Sequence, residues 1–150
     1  MTELVTRTRG GQRLTYLIKR VEMAERARME EVLRPHGVTL HQYTVLSILE
    51  NREGLSSAQL ARRHFVTPQA MNQMVGGMER DGLIERRPDE ANRKILRAWL
   101  TARGRHVLRS CQHTIDELEE RMLAALTPAE VASFRHGLER ALAALTDHDG

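Results

Sequence analysis

From Gln12 to Leu33 the apolar positions are Leu14, Leu17, Ile18, Val21 and Ala24, then Met29, Val32 and Leu33, with arginine and glutamate between them. This is the spacing of an amphipathic helix. Pro35 and Gly37 end it. From Leu40 to Glu50, Tyr43, Val45, Leu46, Ile48 and Leu49 leave little polar surface, the pattern of a helix enclosed by others. Asn51 to Gly54 reads as the next turn.

Ser56 followed by Gln59 is a capping box, in which each side chain bonds the other residue's backbone N–H. It opens a short helix through Ala58, Leu60 and Ala61, and a turn follows at His64 to Val66. Thr67 and Pro68 then start another helix, with a threonine cap and proline at the first position, where its missing donor costs nothing. Met71, Met74, Val75 and Met78 form its apolar face, and Gly82 ends it.

Beyond Gly82 the period changes to two. Leu83 to Arg87 is a strand, Pro88 to Asn92 a polar turn, and Ile95 to Leu100 a return strand, which predicts a two-stranded hairpin. Thr101 caps a long helix whose apolar residues Leu108, Cys111, Ile115, Leu118, Met122 and Ala125 step by three and four, a heptad seam. Thr127, Pro128 and Glu130 open a last helix with the same cap chemistry. Its face is Val131, Phe134, Leu138, Ala141, Leu142 and Leu145.

Composition agrees with a helical chain. Hydrophobic residues make up 41% of the 150 and aromatics only 3%, so the core is built from aliphatic side chains and methionine. No uncharged apolar run is long enough to span a membrane, and Glu3, Arg7 and Arg9 break any secretory leader, so the expectation is a cytoplasmic protein without membrane partners. Cys111 is the only cysteine, which excludes an intrachain disulfide and a thiolate zinc cluster. Of the 23 basic residues only Lys19 and Lys94 are lysines. Arginine suits bidentate phosphate contacts, although a coding bias produces the same excess. Residues 52–105 hold 11 basic and 6 acidic residues, whereas residues 106–150 hold 4 and 8. A basic middle with an acidic end points to a polyanion meeting the middle; the alternative is a solvated surface.

Helix, short helix, turn, helix and ribbon, in that order, make a winged helix-turn-helix, whose second helix lies in the major groove. That helix is Pro68 to Arg80. Its exposed face offers Gln69, Asn72, Gln73 and Gly76, and the amides of Asn and Gln match adenine's donor and acceptor. The ribbon tip carries Arg93 and Lys94. Ser57, Arg62, Arg63, Thr67, Pro68, Arg86 and Arg87 are the further DNA-contact candidates, chiefly to phosphates.

The chain resembles the MarR family of bacterial transcriptional regulators along nearly its whole length. The resemblance is carried by Leu40-His41-Gln42-Tyr43-Thr44-Val45-Leu46, Ser57-Ala58-Gln59-Leu60-Ala61, Thr67-Pro68-Gln69-Ala70-Met71, Leu83-Ile84-Glu85-Arg86-Arg87 and Leu100-Thr101-Ala102-Arg103-Gly104. It implies a mainly α fold in a single chain, residues 1–150, with a winged helix-turn-helix lobe at 38–100 and dimerisation helices at 11–34 and 102–146. It also implies a homodimer on double-stranded DNA of near-palindromic sequence, with a small aromatic or acidic effector between lobe and dimer region. Leu14, Leu17, Leu108, Ile115, Leu118, Met122, Phe134, Leu138 and Leu142 are the expected dimer contacts. The chain departs from the family pattern at Gln73, often basic, at Gly76-Gly77, often an Asp-Arg pair, and at Asn92, usually an aspartate before the wing arginine.

Tyr16, Arg87 and Trp99 are candidates for the effector site, with packing as the other reading of the two rings. Cys111 as an oxidant switch and His106 with His113 as a metal site are alternatives, set against a buried thiol and a histidine pair without a nearby carboxylate. No cofactor or catalytic residue is expected: the chain has no phosphate-binding glycine loop, nucleophile elbow or metalloprotease helix. A winged helix used only for protein contacts is the remaining alternative.

Overall fold

The computed structural model describes residues 11–146; Glu3, Arg7 and Arg9 lie outside them. It falls into two compact units divided between Ile115 and Asp116. The first holds α1 (Leu14–Leu33), a 3-10 turn (Arg34–His36), α2 (Leu40–Asn51), β1 (Leu55–Ser56), α3 (Ser57–His64), α4 (Pro68–Arg80), β2 (Ile84–Pro88), β3 (Leu96–Leu100) and the beginning of α5 (Ala102–Leu123). The second holds the end of α5 and α6 (Pro128–Thr146). Six helices with a small sheet agree with the mainly α winged helix-turn-helix expected from the sequence.

Cap chemistry sets the helix starts from α2 onward. Ser56 accepts from the Gln59 N–H at 3.2 Å while the Gln59 side chain accepts from the Ser56 N–H at 3.0 Å. Thr127 and Glu130 make the same reciprocal pair before α6. A third capping box, Thr39 with Gln42 before α2, escaped the sequence reading.

The sheet has three strands in the order β1-β3-β2, all antiparallel, rather than the two of the predicted hairpin. Leu55 pairs with Ala98 and Ser56 with Arg97. Two residues are too few to show an alternating pattern, and so β1 leaves no trace in the sequence.

The core of the first unit gathers Leu33, Leu46, Leu49, Leu60, Met71, Met78, Ile84, Leu108 and Cys111, all buried. Leu40, Tyr43 and Ile48 of α2 pack against it half-buried, which accounts for that helix's all-round apolarity. The heptad seam of α5 is therefore corrected. Leu108, expected at a dimer interface, is wholly buried in the core of its own chain, and Ile115 packs against that core. A stripe with helical period looks the same whether it meets its own core or a second subunit.

The start of α5 is fixed by backbone contact. Thr101 donates its hydroxyl to the Gly82 carbonyl at 2.6 Å and accepts from the Gly104 N–H at 3.0 Å. A Cβ on Gly104 would stand 1.9 Å from the Leu83 carbonyl oxygen, so only glycine allows this approach.

In the second unit the side chains of α6 stay largely open. None is fully buried, and Phe134, Leu138, Leu142 and Leu145 are exposed. In the first unit α1 likewise exposes Leu14, Tyr16, Leu17, Ile18 and Val21.

Candidate nucleic-acid interface

Helix α4 begins at Thr67, whose hydroxyl accepts from the Ala70 N–H at 3.1 Å, and Pro68 occupies its first position. Met71, Val75 and Met78 anchor it in the core, leaving Gln69, Asn72 and Gln73 exposed in a row. Gln69 and Gln73 are thus presented as the periodicity predicts. Asn72 is presented differently, because its side-chain carbonyl accepts from Arg86 at 3.1 Å and from the Ser57 hydroxyl at 3.4 Å.

Arg86 is held from a second side as well. Its guanidinium also meets Glu79 at 3.2 and 3.3 Å, its backbone N–H bonds the same carboxylate at 3.0 Å, and only 15% of its side chain is exposed. Expected from the sequence as a phosphate contact, Arg86 uses Nε, Nη1 and Nη2 to brace β2 against α4. Both partners of this brace lie in the sequence, but nothing local announces that Glu79 and Arg86 meet across the Gly82 turn.

Across the glycine pair α4 continues unbroken to Arg80. A Cβ at Gly76 would stand 3.6 Å from Arg86 and 3.7 Å from Arg80, and one at Gly77 would stand 3.6 Å from Arg80. These are ordinary contacts, so packing within the chain does not require either glycine.

The wing is anchored by residues the sequence reading passed over. Asp89 accepts from Arg97 at 2.6 Å and from the Asn92 N–H at 2.9 Å. Arg97 reaches on to the Gly54 carbonyl at 3.0 Å and to Gln59 at 3.2 Å, joining the wing to β1 and the cap of α3. The Arg97 guanidinium, with the Asn92 and Ala91 N–H groups, holds the Asp89 carboxyl below its usual range. Asn92 accepts from the Lys94 N–H at 3.2 Å. With the turn held from within, Arg93 and Lys94 stand exposed at its tip, and among the described residues neither forms an ion pair. Arg62 and Arg63, in the last turn of α3, are exposed in the same way.

Two further features lie beside the helix-turn-helix. Phe65, in the turn, has a left-handed backbone at φ 55° and is 96% exposed. His41 Nδ1 and His64 Nε2 lie 2.7 Å apart, so one ring donates and the other accepts. Burial first, and His41 second, push the His64 pKa down.

Of the effector candidates, Arg87 and Trp99 meet, with the guanidinium 4.9 Å from the ring centroid. Arg87 also pairs with Glu85. Tyr16 stands on the exposed face of α1. Cys111 is buried, which raises its pKa and disfavours the reactive thiolate. His106 and His113 are exposed on α5, and among the described residues no group of three or more His, Cys, Asp or Glu side chains is placed to hold a metal ion.

A helix seated in a core with an amide-rich outer row, flanked by a braced wing and exposed arginines, defines a winged helix-turn-helix of the nucleic-acid-reading class. Residues 36–95 match the MarR family model. The chain is 37% identical over 127 residues to the HTH-type transcriptional repressor Rv2887 of Mycobacterium tuberculosis, covering 85% of this chain and 91% of the repressor. The structure of Rv2887 in complex with DNA superposes with a TM-score of 0.75 at 34% identity, over 87% of this chain and 98% of that one. Its complex with p-aminosalicylic acid gives a TM-score of 0.72 at 37% identity, over 85% and 97%. The chain belongs to the MarR family of transcriptional regulators.

Among the described residues no helix is long and apolar enough to cross a membrane.

Proposed function

We propose that the chain is a DNA-binding transcriptional repressor that acts in the cytoplasm as a homodimer on a near-palindromic operator and is released by a small aromatic acid. The carrying observation is the wing: Asp89 and Arg97 hold its turn so that Arg93 and Lys94 project beside a recognition helix offering Gln69, Asn72 and Gln73. Arg93 and Lys94, with Arg62 and Arg63, meet phosphates, and the amide row reads bases.

The dimer is supported by the apolar faces that each unit leaves open. Leu14 and Leu17 of α1 are exposed, as are Met122, Phe134, Leu138 and Leu142 of the second unit, and Leu118 is half-buried. Burying one such side chain contributes about 1.5–3 kcal/mol, enough in aggregate to hold two chains together. A groove of about 210 Å³ lined by Met122, Leu123, Val131, Phe134 and Leu138 offers a second copy somewhere to seat. Effector release is supported by Arg87 stacked on Trp99, a cation beside an aromatic face. Tyr16 is the third effector residue proposed. Relatives bearing on this reading are Rv2887, solved with DNA and with salicylic acid.

The test is selection of duplexes from a random pool by the full-length protein, with and without salicylic acid. Enrichment of a palindrome that salicylic acid abolishes is the expected result; failure to enrich any sequence overturns DNA reading. Arg93→Ala is expected to weaken operator and random DNA alike and to flatten the salt dependence of binding.

A further inference from the structure

The brace between β2 and α4 has a consequence for which base the recognition helix selects, and it rests on the DNA reading proposed above. A guanidinium carries donors only, so the Asn72 atom that Arg86 meets at 3.1 Å is the carbonyl oxygen. The Ser57 hydroxyl lies on the same oxygen at 3.4 Å. Arg86 cannot swing away freely, because Glu79 holds its other nitrogens and its backbone N–H. Turning the amide over would set its N–H groups against the guanidinium and leave a half-buried arginine short of an acceptor, a costly exchange.

Asn72 therefore offers the solvent side of α4 its two amide N–H donors and keeps its acceptor turned inward. Adenine's major-groove edge needs one donor and one acceptor from an asparagine, whereas guanine presents two acceptors, N7 and O6, side by side. We infer that Asn72 is a specificity-determining residue that reads guanine rather than adenine, and that Arg86 and Glu79 are the positioning residues that fix this choice.

The experiment compares duplex selection by the full-length wild type and by Asn72→Ala, and takes as Asn72's the position whose preference the variant loses. Guanine is expected there. Replacing that base with 7-deazaguanine, which lacks the N7 acceptor, should weaken wild-type binding on the order of tenfold, the size of one good base contact, and leave Asn72→Ala unmoved. Arg86→Leu frees the amide to rotate and should let adenine in at the same position. Asn72→Asp provides a check that leaves the brace in place: it keeps an acceptor for Arg86, removes both donors and should lose guanine.

Adenine at the Asn72-dependent position of the wild type would overturn the inference, as would bound, enriched DNA in which Asn72→Ala changes no position. In both cases the DNA-reading function would stand. If the wild type enriches nothing, DNA reading falls and the inference falls with it.

Discussion

The two units treat similar apolar stripes in opposite ways. In the first, the stripes of α2, α3 and α4 and the opening of α5 converge on one core, and Leu46, Leu60, Met71 and Leu108 lose all contact with water. In the second, α6 carries as regular a stripe and buries none of it. Period alone does not say what a helix packs against; the number of neighbouring elements does. The winged lobe closes its core with residues from α1 through the opening of α5, while among the described residues α6 is the one element that follows α5. One unit has a core closed within the chain, and the other leaves the stripe of α6 open.

The contrast breaks most severely at Gly104. Gly104→Ala places a methyl group 1.9 Å from the Leu83 carbonyl oxygen, where backbone has to move. Its expected cost is about 3 kcal/mol, seen as a large fall in the denaturant midpoint. An unchanged midpoint would show that the helix start is not held as described.

A substitution in the other unit should do the reverse. Leu138 is exposed on α6 and is no part of the lobe's core, so Leu138→Asp removes an apolar side chain from the proposed interface. Light scattering is expected to report half the wild-type mass, with the helical signal of the lobe retained. A mass equal to wild type would remove α6 from the interface.

The lobe also contains a place where stability is not maximised. Phe65 holds a left-handed backbone without burying its ring. Phe65→Gly should relieve a strain of about 1–2 kcal/mol, less the greater freedom glycine gives the unfolded chain, for a net gain of about 1 kcal/mol in thermal or chemical melts. Loss of stability would mean the ring packs more than its exposure allows.

The smallest effect concerns His64. Its folded pKa lies below the unfolded value of 6.5, so the unfolded chain binds the extra proton first. His64's contribution to stability is complete above pH 6.5 and declines as pH falls through that value toward the folded pKa. His64→Gln should flatten the pH dependence of melting as pH falls below the unfolded histidine value. A wild-type slope retained in the variant would place the dependence elsewhere.

Much of the lobe could be read in the chain because its signals are local. Caps at Ser56 and Thr67, the glycine stop at Gly82 and the change of period after it each act within a few residues, and they mark the elements that form. What was not legible depends on residues far apart in sequence. Asp89 and Arg97 meet only once the hairpin register is set, and Arg97 meets Gln59 only when β1 joins the sheet. Asn72 and Gln73 look equivalent as exposed amides, yet Arg86 engages one of them. Leu108 and Leu138 likewise occupy equivalent stripe positions and end in a core and in solvent.

On the proposed function the lobe is whole within one chain while DNA binding takes two. The most direct test is the mass of the complex formed with the selected palindrome and with a duplex carrying one half of it, measured by light scattering. Two chains per palindrome, with marked loss of affinity for the half-site, are expected. One chain per palindrome, or equal affinity for palindrome and half-site, would contradict it.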